Sequence, residues 1–375
     1  MNNSIRLLQV LPTLNSGGLE RGAIDIAEGI SKLGNISLVA SNGGRLVNQL
    51  EQKGIKHLKI PVHSKNPFTI YKNISVLKKI IANEKINIIH TRSRAPAWSS
   101  YFASKKLIRS VSTYHNAYNY NNNFKKIYNS GLGKMDKVIA ISNFVKNKII
   151  KSYNIPENKI DVIYRGIDQK IFNLEEINRD IIQSFKQKYK IVSDKNIVLF
   201  PGRLTSWKGQ IEFLEVLKKI ERNDFFCYFV GDNKNTSYSQ KLFKSIKNYN
   251  LENKCKILGN IDDMKVMYSI SNIVVNGSQY PEGFGRVIAE AMSMGKPVIA
   301  YNHGAAPELL EIYNDKFKIP LNDCPKMIES INEILNMPED SKKELALKSY
   351  EFVKKNFTIE DMISKTFNLY QTLLK

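Results

Sequence analysis

The stretch Pro281-Glu282-Gly283-Phe284-Gly285-Arg286-Val287-Ile288-Ala289-Glu290-Ala291-Met292-Ser293-Met294-Gly295-Lys296-Pro297 sets two carboxylates eight residues apart around what reads as a helix start. Glycines give a permissive backbone just ahead of the helix, and Gly295 with Pro297 ends it after about two and a half turns. Free amides at such a start receive an anion, helped by the helix dipole. Glu282 precedes the helix and Glu290 lies inside it, so the two address different parts of one elongated ligand and do not share a metal. A carboxylate accepting from vicinal hydroxyls makes the charge-assisted bonds that ribose or hexose recognition requires. A second stretch, Pro201-Gly202-Arg203-Leu204-Thr205-Ser206-Trp207-Lys208-Gly209, puts Arg203 and Lys208 at a strand-to-helix turn, suited to neutralising a diphosphate and its departing charge. The chain contains no Asp-x-Asp, the usual carboxylate holder of a divalent ion beside a diphosphate, so cations are expected to replace the metal, and no cofactor is expected.

These residues need a frame. Short apolar runs are expected as strands at Ile5 to Leu11, Ile36 to Ala40, Lys56 to Ile60, Ile86 to His90, Ser110 to Tyr114, Lys137 to Ile141 and Ile160 to Tyr164. Helical patterns lie between several of them; the clearest has Ala23, Ile26, Ala27, Ile30 and Leu33 on one face. Continuous apolar strands with helical crossovers imply an α/β protein with parallel sheets covered on both faces. After Gly166 the chain reads as polar and helical from Asp168 to Lys190, and then the alternation restarts at Ile197 to Pro201, Phe225 to Val230, Lys256 to Leu258, Ile273 to Asn276 and Val298 to Ala300. The expected layout is therefore a first Rossmann-like domain over 1–175, a second over 190–355, and a terminal segment 356–375. In that last segment the stripe Met362, Ile363, Phe367, Tyr370 and Leu374 predicts a helix packing back on the first domain. Gly17-Gly18, Gly43-Gly44, Arg92, His115, Ser142, Gly202-Arg203, Gly231-Asp232, Gly259-Asn260 and Ser278 to Gly285 all follow predicted strand ends, where doubly wound sheets bind ligands. Two such edges facing one another make a cleft, with a hinge expected near 166–195.

Length and composition bound the function. At 375 residues two domains are the natural reading, and no apolar run is long enough for a spanning helix. The stretch Ile5 to Leu11, broken by Arg6 and Gln9, reads as a strand and not a signal peptide, which predicts a cytoplasmic protein. Cys227, Cys255 and Cys324 show neither metal nor redox spacing and are expected as free thiols. The net charge of +21 fits either a solvated lysine coat or an anionic membrane surface, such as the inner face of the cytoplasmic membrane. Without an RNP motif or zinc-finger spacing, nucleic acid is not an expected partner.

The pair Glu282 and Glu290, the Gly-Arg-x4-Lys element from Gly202 to Lys208 and the Gly17-Gly18 loop, in this order and at strand ends, resemble the retaining enzymes of glycosyltransferase family 4, with the GT-B fold. In finer detail, Gly17-Gly18-Leu19-Glu20-Arg21-Gly22, Ser93-Arg94-Ala95-Pro96-Ala97-Trp98-Ser99 and Thr113-Tyr114-His115 resemble a bacterial subgroup that builds lipopolysaccharide core, many of them mannosyltransferases. The resemblance implies that Glu290 binds the donor ribose and Glu282 the donor hexose, with the Gly283, Phe284 and Gly285 backbone close to the sugar. It implies that Arg203 and Lys208 hold the diphosphate, His115 lies beside the transferred sugar, Gly17 and Gly18 admit donor phosphate and acceptor, and Asn260 and Ile261 meet the base. It implies a first domain for acceptor and a second for donor, GDP-mannose as favoured donor with UDP-hexoses next, and a lipopolysaccharide-core, glycan or lipid-linked acceptor. Retention would need no protein nucleophile, the leaving diphosphate taking the acceptor proton.

Plainer readings stay open beside each of these. Glu282 and Glu290 also suit a dipole partner and a surface charge, and Arg203 and Lys208 a solvated pair. His115 also suits a structural histidine, Gly17-Gly18 a tight turn, and His303 a loop residue. Arg92 and Arg94, with Lys105-Lys106, suit either an acidic acceptor group or a solvated face. A nicotinamide dehydrogenase is disfavoured because Glu20 to Gly22 breaks Gly-x-Gly-x-x-Gly. A nucleotide-sugar epimerase and a noncatalytic scaffold of the same fold are the other rivals. Oligomeric state is not readable.

Overall fold

The computed structural model describes residues 4–15, 17–116, 118–173, 177–232 and 236–375. The chain divides into two units, Met1–Gly166 with Ile359–Lys375, and Ile167–Thr358. Among the described residues no helix is long and apolar enough to cross a membrane.

The first unit is built on seven parallel strands, β1 (Arg6–Val10), β2 (Ile36–Ser41), β3 (Lys56–Lys59), β4 (Ile88–Thr91), β5 (Arg109–Tyr114), β6 (Lys137–Ala140) and β7 (Ile160–Val162). Their order is β3-β2-β1-β4-β5-β6-β7, so the winding reverses between β1 and β4. Loops after those two strands diverge to opposite faces and leave a crevice at the carboxyl edge. One face is covered by helix Gly18–Lys32 and by the terminal helix Ile359–Leu374, with Ile26 and Ile30 sharing a core with Met362 and Tyr370. The terminal helix thus packs on the first unit. Close approach explains Gly29: a Cβ there would lie 2.6 Å from Cγ2 of Ile363. The opposite face is covered by helices Pro67–Asn83 and Arg94–Ser104, whose Leu77, Ile81 and Ala103 pack on Leu8, Val10 and Leu38.

The second unit has six parallel strands, β8 (Asn196–Pro201), β9 (Phe225–Val230), β10 (Cys255–Gly259), β11 (Ile273–Asn276), β12 (Val298–Tyr301) and β13 (Lys318–Ile319). Their order is β10-β9-β8-β11-β12-β13, with the same reversal, now between β8 and β11. Each unit is Rossmann-like. Three details differ from the sequence expectation. Leu33, expected on the buried face with Ala23, Ile26, Ala27 and Ile30, follows the helix end and is 51% exposed. The two-residue β13 is too short to leave a periodic signal. Among its described residues, the polar stretch Asp168 to Lys190 is helical only at Arg179–Tyr189: Asp168 closes a turn on Lys170 N at 3.0 Å, and Asn178 caps the helix by accepting from Ile181 N at 2.9 Å. Cys227, Cys255 and Cys324 are free thiols; the first two are buried and Cys324 is partly exposed.

Candidate active site

In the second unit, the loops after β8 and β11 lie side by side because those strands are neighbours. Gly209 makes their contact possible: its φ is +78°, and a Cβ would fall 2.2 Å from the carbonyl oxygen of Gly277. Gln279 N donates to Trp207 O at 2.8 Å, and the Trp207 and Tyr280 rings stack at 4.9 Å. The loop after β12 joins from the other side, with His303 Nε2 donating to Ser278 O at 2.8 Å. Since a carbonyl oxygen only accepts, that nitrogen carries the proton.

These loops converge on Glu282. Its Oε1 accepts from Lys208 Nζ at 2.7 Å, from Asn276 Nδ2 at 3.4 Å and from Ser278 Oγ in a short bond, while Oε2 takes part in none of the three. Burial pushes the carboxyl up, but the Lys208 charge and the three donors outweigh it and hold Glu282 below the usual carboxylate range. An ionised carboxylate with one oxygen anchored and the other uncommitted is built to accept from a ligand hydroxyl. A small cavity beside it is lined by Glu282, Phe284, Gly285, His303 and Tyr301, among others.

Glu290 is held separately. Helix Arg286–Ser293 begins at Gly285, whose φ of +92° suits glycine, and puts Arg286 one turn before Glu290. Arg286 donates from Nε at 3.1 Å and from Nη2 at 2.7 Å to Oε1, and Tyr268 Oη donates to Oε2 at 3.0 Å. Burial, then the Glu290 charge, push the Tyr268 phenol well above its ordinary value, so it stays a neutral donor.

In the first unit, Gly17 caps helix Gly18–Lys32 with a φ of +132°, and a Cβ there would lie 2.8 Å from Glu20 Oε2. Arg165, just past β7, reaches two loops at once. It donates from Nη1 to Gly18 O in a short bond and from Nη2 to His115 Nδ1 at 2.6 Å. A guanidinium only donates, so His115 Nδ1 is unprotonated and Nε2 carries the proton. Burial, then the charges of Arg165 and Arg92, hold the His115 imidazole well below its ordinary value and keep it neutral. The loop geometry makes a rigid neutral donor beside a glycine-lined helix start.

Comparison with known proteins now decides the class. Residues 181–351 match the family model "Glycosyl transferases group 1", and residues 16–170 match "Glycosyltransferase Family 4". A crystal structure of a glycosyltransferase from Rickettsia africae superposes with a TM-score of 0.92 at 38% identity, covering 100% of this chain and 99% of that one. The chain belongs to glycosyltransferase family 4. Anabaena HepE, solved with UDP and glucose, has the same fold as this transferase, with a TM-score of 0.83 at 23% identity over 98% of this chain and 100% of that one. An uncharacterised glycosyltransferase of Methanocaldococcus jannaschii is 31% identical over 47% of this chain, a match spanning only 44% of its own length. The two Rossmann-like units are those of the GT-B fold.

Within the transferase, the geometry sorts the expected residues. Lys208 and Glu282 come together directly, and Gly17, Gly18 and His115 come together through Arg165. Arg203 is exposed, and its carbonyl accepts from Gln210 Nε2 at 3.1 Å. Asn260 is exposed and donates to Asp262 Oδ1 at 3.2 Å, while Ile261 is buried. Arg92 is only 4% exposed, with Nη1 on Gln9 Oε1 at 3.0 Å, so any acceptor reaching it must first open that packing. Arg94 donates to Asn129 Oδ1 at 2.8 Å and lies 3.9 Å over the Tyr118 ring. Sequence reasoning missed Arg165, Asn276, Tyr268 and Arg286 as site residues. Arg165 stands just past a strand, the signal that picked out the other loops. Arg286 stands four residues before Glu290, at pairing distance on a helix. Tyr268, on a different element, left no such signal.

Proposed function

We propose that this transferase moves a hexose, with retention and without a divalent metal, from a nucleoside diphosphate sugar to a lipopolysaccharide-core or related glycan acceptor, with GDP-mannose as donor. The observation that carries the reading is Glu282: an ionised carboxylate with one oxygen fixed by Lys208 and the other uncommitted. In this reading Oε2 accepts from hexose hydroxyls and Glu290, oriented by Arg286 and Tyr268, accepts from ribose hydroxyls. The Lys208 ammonium, with Arg203, offsets charge that builds on the departing diphosphate and so does the work of a metal. The bond from the anomeric carbon to the diphosphate breaks, a bond to the acceptor oxygen forms on the same face, and the acceptor proton goes to a diphosphate oxygen. On the first unit, the Arg92 and Arg94 region receives the acceptor.

The donor choice rests on the resemblance of the Gly17 to Gly22, Ser93 to Ser99 and Thr113 to His115 segments to the lipopolysaccharide-core subgroup. A UDP-hexose is the second reading, because HepE has been solved with UDP-glucose at 22% identity. A thermal-shift panel of nucleotide sugars separates them, since a donor bound at 100 times its Kd stabilises the folded state by about 2.7 kcal/mol. GDP-mannose is expected to give the largest rise in Tm, unchanged by chelator. A rise with UDP sugars alone would overturn the base assignment, and no rise with any would overturn the donor site.

A further inference from the structure

The charge of this chain is not spread evenly. Between Glu51 and Glu157 the sequence carries twenty Lys and Arg and only two acidic residues, Glu84 and Asp136, so that stretch holds +18 of the net +21. Both acids are occupied: Glu84 pairs with Lys56 at 2.7 Å, and Asp136 Oδ2 accepts from Ser110 N and Ser110 Oγ, each at 2.8 Å. A lysine coat produced by composition alone would have no reason to stop at these boundaries.

Three helices of this stretch form one layer. Pro67–Asn83 and Arg94–Ser104 share a core cluster through Leu77, Ile81 and Ala103, and Trp98 Nε1 on the second donates to Tyr128 O on helix Asn123–Ser130 at 3.2 Å. A solvent-facing helical surface is ordinarily polar. Here Phe68, Tyr71, Phe102, Leu107, Phe124 and Ile127 are exposed, from 46% for Phe102 to 87% for Phe124. Lysines are seated among the rings: Lys105 Nζ lies 5.5 Å over Tyr101 and Lys126 Nζ 5.3 Å over Tyr120. At one end Lys105, Lys106, Arg109 and Lys134 line a depression together with Tyr101, Leu107 and Asp136, four cations against one carboxylate already held by Ser110.

We propose that this helical layer of the first unit is a docking face for an anionic phospholipid bilayer, with lysines on the headgroups and the exposed apolar tips in the interface. Aromatic and aliphatic tips interleaved with Lys are the composition of an interfacial surface, and with only two acidic side chains in the stretch, both engaged, little repulsion opposes it. Nucleic acid fits less well, because Leu107 and Ile127 have no ring for base stacking and gain nothing from a phosphate backbone. The face involves none of the donor groups, so it stands or falls apart from the transfer reaction.

The test is vesicle sedimentation of the full chain with phosphatidylcholine alone or mixed with phosphatidylglycerol, over a range of salt. Wild type is expected to sediment with the anionic vesicles only, less so as salt rises. Phe124→Ser with Ile127→Ser, and separately Lys125→Glu with Lys126→Glu, should each weaken that binding about tenfold. All four positions except the partly buried Lys126 are exposed, and an unchanged donor-induced Tm rise would show that the variants fold. Lys342→Glu with Lys343→Glu, the same charge change on helix Glu339–Asn356 of the second unit, should leave binding within about twofold. Equal loss in that control, equal binding to neutral vesicles, or binding to RNA without binding to vesicles would each overturn the proposal.

Discussion

Nζ of Lys208 and Oε1 of Glu282 lie 2.7 Å apart, with side chains only 16% and 23% exposed. The cation assigned to the leaving diphosphate is therefore also what keeps the carboxylate assigned to the sugar ionised. Lys208→Met should cost about 3 kcal/mol of stability by leaving that carboxylate unpaired. The double variant with Glu282→Gln should recover most of that stability and none of the turnover. Urea denaturation of the four proteins checks the first part, and steady-state turnover the second; additive stability losses would show that the two side chains act separately.

Glu282→Gln alone keeps the shape and removes the charge. Loss of a charged hydrogen bond to a sugar hydroxyl costs about 1.5–3 kcal/mol, so donor affinity should fall about 10- to 150-fold. Calorimetric titration of donor reads this directly.

Acid should destabilise the first unit before it disables Glu282. His90 and His115 are both held well below their ordinary value, foremost by burial and then by neighbouring cations. Between the usual value near 6.5 and the lower folded value the unfolded chain binds more protons, so stability falls as pH drops through that window. Glu282 acts lower down. Its folded value is depressed, so its contribution is present above the usual 4.5 and is lost only as pH falls through that lower value. Tm measured from pH 7.5 downward should begin to fall near 6.5, and His115→Asn should lessen the slope. A flat Tm down to pH 5 would contradict this.

Gly209→Ala should be poorly tolerated although no ligand group is touched. The φ of +78° and the Gly277 carbonyl oxygen 2.2 Å from the added carbon leave no room for a side chain. A loss of more than about 2 kcal/mol is expected, with a higher KM for donor as the loops after β8 and β11 separate. Thermal denaturation and initial rates test both.

Tyr370 Oη and His90 Nδ1 meet at 2.5 Å in the core, and His90 Nε2 meets Thr113 Oγ1 at 2.7 Å. Tyr370→Phe should lower stability by about 1–2 kcal/mol, measured by urea denaturation.

The frame was readable because buried parallel strands are written as unbroken apolar runs. Phe225–Val230 and Ile273–Asn276 have the bounds expected, and the stripe from Met362 to Leu374 pointed to the terminal helix. Short or polar elements escaped: β13 is two residues long, and the turn and cap at Asp168 and Asn178 confine the helix expected from Asp168 to Lys190. At the site, residues that bring their own loop glycines were visible. Those that act by reaching across from another element, such as Arg165 onto His115 and Tyr268 onto Glu290, were not, since contact between elements far apart in the chain leaves no spacing to read; Arg165 offered only its place just past a strand.

The first unit is interrupted by the whole of the second, and Tyr370, which closes its core on His90, belongs to the returning segment. During synthesis the ribosome makes residues 167–358 before it makes that plug. The second unit can therefore finish folding while the first still waits for its last helix, and nascent chains released short of Tyr370 should carry a complete second unit beside an open, protease-sensitive first one.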